Sequence, residues 1–274
     1  MYESYWQLSR KPFENIVDAR SYYPSEVHQG ALLKLRYGIE NRRGAVLLSG
    51  AAGLGKTLLV DALRRQAPES IAPFIHLVFP QMPADQLLAY LAGELAAATG
   101  INIETNSLQH SVRGISQILA ENTRAGRHAV VVVDEAHLLT GRDGFETLRL
   151  LLNFETDGQP GLTLLIAGQT GLLPQLDRMP GLEQRLGVKC LLRPFNLEET
   201  VSYISHRLTA AEAGRQIFDS AAMEAVYHLT HGVPREINRL CDLSLLIAYA
   251  EEQPAVTAQQ VEAVSAELVT VAPE

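Results

Sequence analysis

Apolar residues along this chain follow two kinds of pattern. Five short runs, AVLLS (45–49), FIHLVF (74–79), AVVVV (129–133), LTLLIA (162–167) and VKCLL (188–192), are apolar at nearly every position. Between them lie longer stretches in which apolar residues return every three or four positions, the spacing of a helix with one buried face. A strand that is apolar on both sides must be covered on both sides. Five such runs separated by helices therefore predict a parallel sheet between helical layers. After RPFN (193–196) the strand signal stops, and four amphipathic patterns follow near 197–212, 219–230, 234–251 and 257–267. Breaks fall at Gly214, at HGVP (231–234) and at EEQPAV (251–256). The pattern predicts an α/β domain over 1–194 and a helical domain over 195–270, with the tail VAPE frayed. Upstream, the piece to about Ser25 is aromatic and irregular. Val27, Ala31, Leu32, Leu35 and Ile39 then predict a helix, with Gly44 placed to cap its C-terminus.

The run AVLLS leads directly into GAAGLGKTL, where Gly50, Gly55, Lys56 and Thr57 fit the spacing G-x-x-x-x-G-K-[ST] between a strand and a helix. Glycines let backbone N–H groups turn inward around a polyphosphate without Cβ clashes, and the helix N-terminus adds positive potential. The phosphate-binding residues are thus Gly50, Ala51, Ala52, Gly53, Leu54, Gly55, Lys56, Thr57 and Leu58. Lys56 neutralises the outer phosphates and the Thr57 hydroxyl goes to Mg²⁺. The third apolar run ends in VVVVDEAH, which places Asp134 where an α/β sheet presents a Mg²⁺ ligand. Glu135 beside it has the chemistry of a general base for an attacking water. The fourth run ends in Gly168, Gln169 and Thr170. Gln169 reads either as a γ-phosphate or water contact or as an ordinary strand-ending turn. Arg185, ahead of the last strand, and Arg235, at the start of a helix in the C-terminal part, are candidates for stabilising transition-state charge.

Composition narrows the picture. At 274 residues and 47% hydrophobic, the chain has enough apolar material for one large and one smaller domain. Its net charge of −8 gives no global basic field to draw nucleic acid. Two cysteines, Cys190 and Cys241, are too few and too far apart for a disulfide framework or a zinc cluster, which points to a reducing, cytoplasmic setting. Cys190 reads as core. The N-terminal MYESYWQLSRKPF lacks the uninterrupted apolar core of a secretory leader, and no run approaches the length of a membrane span. His228 and His231 share helical spacing without a third ligand and read as a helix-end pair. His137 reads as a residue that caps or orients.

These motifs, taken in order, resemble an AAA+ ATPase, and more narrowly the ExeA type, the general secretion pathway protein A family. The matching text is MYESYWQLSRKPF, then YYPSEVHQGALLKLRYGIENRRGAVLLSGAAGLGKT, LRLLLNFETD, GQTGLL, LEQRLGV and HGVPREINRLCDLSLLIAYAE. The resemblance implies a RecA-like parallel sheet of five strands, a C-terminal four-helix lid, and ATP with Mg²⁺ at a subunit interface. By motif position it implies Walker A at Lys56 and Thr57, Walker B at Asp134 and Glu135, sensor 1 at Gln169 and sensor 2 at Arg235. Arg185 falls where the family's candidate arginine finger falls, and Tyr23 and Pro24 fall where such proteins cover the adenine. Secretion members continue into a transmembrane segment and a peptidoglycan-binding part, which these 274 residues do not contain.

Three functions follow. The leading one is an ATP-hydrolysing motor or switch that assembles into a hexamer-like ring or a filament and remodels or positions a protein partner. By resemblance it belongs to secretion, pilus or envelope assembly, and lies in the cytoplasm or against the inner membrane through that partner. The second is a DNA-associated regulator similar to TnsC- or TniB-type transposition ATPases, with Arg36, Arg42 and Arg43, or Arg64 and Arg65, on phosphates. Net charge disfavours it. The third is a nucleotide-gated adaptor with negligible turnover.

Overall fold

The computed structural model describes residues 1–15, 23–139 and 141–270; the tail 271–274, expected to fray, lies outside them. In chain order the elements are α1 (Glu3–Trp6), α2 (Glu26–Glu40), β1 (Ala45–Ser49), α3 (Lys56–Gln66), β2 (Phe74–Leu77), α4 (Ala84–Thr99) and α5 (Leu108–Arg124). Next come β3 (Ala129–Val133), a 3-10 turn (Ala136–Leu138), α6 (Gly141–Leu151), β4 (Glu155–Thr156), β5 (Gln159–Pro160), β6 (Leu162–Gly168), α7 (Leu172–Asp177), α8 (Pro180–Glu183) and β7 (Leu186–Leu191). The chain then runs through α9 (Leu197–Ala210), α10 (Ser220–Thr230), α11 (Pro234–Ala250) and α12 (Ala258–Thr270). Contacts divide it into an α/β unit of residues 26–52 and 59–192 and a helical unit of residues 1–25, 53–58 and 193–274.

In the α/β unit the five apolar runs form one sheet in the order β2-β3-β6-β1-β7, every neighbouring pair parallel. β1, β3 and β6 are buried along their whole length, as runs apolar on both faces require. Ala45, Leu47, Val131, Val133, Leu164 and Ile166 face one core with residues of α4, α5 and α6. On the other face α2 lies close to β1: a Cβ added to Gly38 would sit 2.4 Å from Val46 Cγ1. β2 stops at Leu77, short of the expected Phe79. Val78 and Phe79 are exposed, so their apolar character does not mark strand. Two further details depart from the sequence reading. The left-handed residue ending α2 is Arg42 (φ 52°) rather than Gly44. Its N–H donates to Ile39 and that of Arg43 to Gly38, which closes the helix before Gly44 is reached. The β4–β5 hairpin, turning at Asp157 and Gly158 with positive φ, was not anticipated.

His128 sits fully buried in this unit, its Nε2 2.9 Å from Thr163 Oγ1. Burial, and secondarily the charge of Arg42, pushes its pKa down to about 4, against a smaller opposing pull from the Pro160 carbonyl. A histidine held neutral in the fold takes up a proton on unfolding below about pH 6.5. Its contribution is therefore complete above that pH and is lost as pH falls toward 4. Urea unfolding is expected to show about 2 kcal/mol less stability from this residue at pH 5 than at pH 7, a slope that His128→Gln flattens.

The helical unit holds the four C-terminal helices in the expected places. α9 starts with a capping box: the Glu199 N–H donates to Asn196 Oδ1 at 2.8 Å, and the Asn196 N–H donates to Glu199 Oε2 at 2.9 Å. The N-terminal segment, expected with the α/β domain, packs here. Tyr2, Trp6, Leu8 and Phe13 join the core of α9–α12. The Trp6 indole donates to the Leu245 carbonyl at 3.0 Å, and the buried Arg207 guanidinium donates to the carbonyls of Pro12 and Glu14. Aromatic residues without helical period found their partners on distant helices, which spacing could not reveal.

Candidate functional site

A parallel sheet aims all its strand carboxyl ends one way, and ligand-binding residues collect there. In the α/β unit β6 runs between β1 and β3, with Ser49 opposite Gly168 and Val133 opposite Ile166. The Gly50 N–H donates to the Gly168 carbonyl at 3.2 Å, and the Ser49 hydroxyl donates to the Gln169 carbonyl at 3.4 Å. The ends of three adjacent strands therefore carry Gly50, Gln169 and the Asp134–Glu135 pair side by side.

Asp134 is buried and its carboxylate is held from two directions. Oδ1 accepts the Glu135 N–H at 2.9 Å, and Oδ2 lies 3.3 Å from His76 Nε2. His76 is on β2, opposite Val132 of β3. It was missed from the sequence, although it is the one polar residue in FIHLVF and that interruption was a usable signal. Glu135 takes the left-handed conformation (φ 48°, ψ 37°), and its carbonyl accepts the Leu138 N–H to open the 3-10 turn. A non-glycine residue held there is strained, a condition that concentrates at functional sites.

In the helical unit, residues 53–58 meet the start of α11. Gly53 and Gly55 have φ of 80° and 85°, the left-handed peptides that turn successive N–H groups toward an anion. Lys56 is buried, whereas Thr57 is exposed. The Arg235 N–H donates to the Gly53 carbonyl at 3.3 Å. A Cβ on Gly53 would lie 3.0 Å from Arg235 Cβ and from Val233 Cγ1. Arg235 is thus brought against the phosphate-loop sequence, with Pro234 at the first position of its helix.

The remaining candidates fall elsewhere. The Tyr23 ring packs 5.7, 5.6 and 5.4 Å from Phe195, Tyr203 and His206, and Pro24 is exposed. Arg185 donates to Asn153 Oδ1 at 2.7 Å, and its carbonyl accepts the Ala45 N–H. That puts Arg185 at the amino end of the sheet, about 13 Å of β1 away from Ser49. Asp134 and Arg185 are therefore at opposite ends of the sheet. His231 caps α10 in the left-handed conformation. Cys190 and Cys241 are free and buried, and burial pushes the Cys190 thiol up to about 11.

The donor set suits Mg²⁺ with a nucleotide. Among the described residues no group of three or more His, Cys, Asp or Glu side chains forms a metal cage. Mg²⁺ needs none, since it keeps waters and is held by one or two protein oxygens plus phosphates. In the α/β unit Asp134 offers such an oxygen, with its carboxylate already oriented; in the helical unit Thr57 offers an exposed hydroxyl.

The chain is 35% identical over 254 residues to general secretion pathway protein A of Aeromonas hydrophila, across 91% of this chain and 45% of that protein. It therefore spans less than half the length of that relative. The fold is similar to the Aeropyrum pernix ORC2 protein, solved as ADPNP–ADP complexes, with a TM-score of 0.70 and 16% identity over 94% of this chain and 72% of that one. It is also similar to the Thermotoga maritima RuvB Holliday junction branch migration motor, with a TM-score of 0.60 and 20% identity over 93% and 73%. At these identities the likeness shows the fold alone, a P-loop AAA+ architecture. A family model described as an AAA domain matches residues 39–176, half of the sequence and both carboxyl-end motifs. The chain belongs to the AAA domain family.

Proposed function

We propose that this protein is an Mg²⁺-dependent ATPase that self-associates through its nucleotide sites and remodels or positions a protein partner. The observation that carries this reading is the alignment of Gly50, Gln169 and Asp134–Glu135 on three neighbouring strand ends. Residues 50–58 hold the phosphates, Lys56 neutralises them, and Thr57 and Asp134 hold the metal, which when bound offsets phosphate charge. Glu135 takes the proton of the attacking water, and Gln169 orients that water or the γ-phosphate. Arg235 reports the nucleotide to α11 through its contact with Gly53. Arg185, at the far end of the sheet from Asp134, acts on a nucleotide held by a neighbouring copy.

The likeness to general secretion pathway protein A supports a place in secretion, pilus or envelope assembly. No described helix is long and apolar enough to cross a membrane. Four of the arginines that a DNA reading would need are already engaged. Arg36 pairs with Glu40, Arg42 donates to Gln159, Arg43 lies over the Tyr37 ring and Arg65 pairs with Asp61.

Light scattering on a sizing column tests the proposal, with wild type and Lys56→Ala in Mg-ATP and in ADP, with and without duplex DNA. Wild type is expected to form oligomers in ATP only, indifferent to DNA, and Lys56→Ala is expected to remain a monomer. A wild-type monomer in ATP would sink the shared-site reading. Co-elution with DNA only in ATP would replace the protein partner by DNA.

A further inference from the structure

The His137 side chain meets both the candidate base and the end of β6. Its Nδ1 accepts the backbone N–H of Gln169 at 3.4 Å and stands 3.4 Å from Glu135 Oε2. The approach is built in from below as well. A Cβ on Gly168 would lie 3.3 Å from the His137 backbone nitrogen and 3.4 Å from Nδ1, so the residue preceding Gln169 leaves the imidazole room. Nδ1 has one lone pair or one proton, never both. While it accepts from Gln169 it cannot donate to Glu135. Consistent with this, Glu135 Oε2 is buried with no hydrogen-bond partner among the described residues. A buried carboxylate oxygen in that setting gains from acquiring a donor.

We infer that His137 is a positioning residue that couples the end of β6 to the base, accepting from Gln169 in one state and donating to Glu135 in the other. When Gln169 moves toward the γ-phosphate its N–H leaves Nδ1. The ring then changes tautomer, with the Nε2 proton passing to water as a water proton arrives at Nδ1. The new Nδ1–H donates to Oε2 and fixes the carboxylate that takes the proton of the attacking water. Hydrolysis is thereby tied to a correctly seated γ-phosphate. This inference rests on the hydrolysis reading above and assigns a device that acts through Glu135.

The test uses the full chain with His137→Ala, His137→Asn, His137→Gln and Glu135→Gln. An asparagine amide can occupy the place of Nδ1 and either accept or donate, whereas a glutamine amide reaches toward the place of Nε2. His137→Ala is expected to lower ATP kcat about tenfold or more while ATP affinity changes less than about twofold. His137→Asn is expected to recover most of the loss and His137→Gln little of it. The Glu135→Gln/His137→Ala double variant should be no slower than Glu135→Gln alone. Histidine-selective ¹⁵N labelling supplies a readout independent of turnover: His137 Nδ1 bare in the free protein and protonated with a non-hydrolysable ATP analogue. An Nδ1 that does not change, or a His137→Ala turnover within twofold of wild type beside an inactive Glu135→Gln, overturns the coupling alone. Full turnover in Glu135→Gln overturns the hydrolysis reading and the coupling with it.

Discussion

Glu135→Gln will bind ATP as wild type does and will hydrolyse it about a hundredfold or more slowly, the usual worth of a positioned general base. The amide keeps the shape of the carboxylate and the left-handed backbone, whose N–H still donates to Asp134 and whose carbonyl still accepts from Leu138. Only basicity is lost. Steady-state phosphate release and a separate ATP-binding titration distinguish this from general damage, and equal losses in both would reject Glu135 as the base. The same variant tests the placement of Arg185. Glu135→Gln subunits have an intact Arg185, and Arg185→Ala subunits have an intact base. Mixing two inactive proteins is expected to restore part of the turnover if the arginine serves a neighbour's nucleotide. An unchanged rate on mixing would deny it that role.

The second large effect is on stability. Gly232 has φ 74°, and an added Cβ would fall 1.9 Å from the Phe195 carbonyl oxygen. Neither side can retreat easily, because the Phe195 N–H donates to the Gly232 carbonyl at 2.9 Å and Phe195 is buried in the helical core. Left-handed strain and a backbone clash together predict that Gly232→Ala destabilises the helical unit by about 3 kcal/mol or more. Faster proteolysis within 193–270 would report it. Gly30 supplies the opposite sign. It lies inside α2 with nothing within 4 Å of a Cβ and no positive φ. Gly30→Ala is therefore expected to raise stability by roughly 0.5–1 kcal/mol. Similar melting of the two variants would contradict the steric argument.

What could be read in the sequence was what is local. Short runs apolar at nearly every position, at 45–49, 129–133 and 162–167, predict strands buried on both faces, and they are, because such an element hides every side chain. GAAGLGKT and VVVVDEAH are spacings along one strand-to-loop junction, so Lys56, Thr57, Asp134 and Glu135 could be named as candidates without a fold. The four C-terminal helices were legible for the same reason, from period and breakers.

Whatever depends on two distant stretches meeting was settled only in three dimensions. His76 reaches Asp134 because β2 pairs with β3 in one register, and a shift of one residue would turn it to the other face. His137 meets Gln169 because β6 inserts between β1 and β3, an order that chain succession does not dictate. Arg185 was separated from Asp134 by the direction of β7, and residues 1–15 were drawn to the helical unit by Trp6 and Arg207 rather than to the sheet they precede. Local spacing determines which residues can form a strand, a helix or a phosphate loop, whereas register, strand order and long-range burial decide which of their side chains share a site.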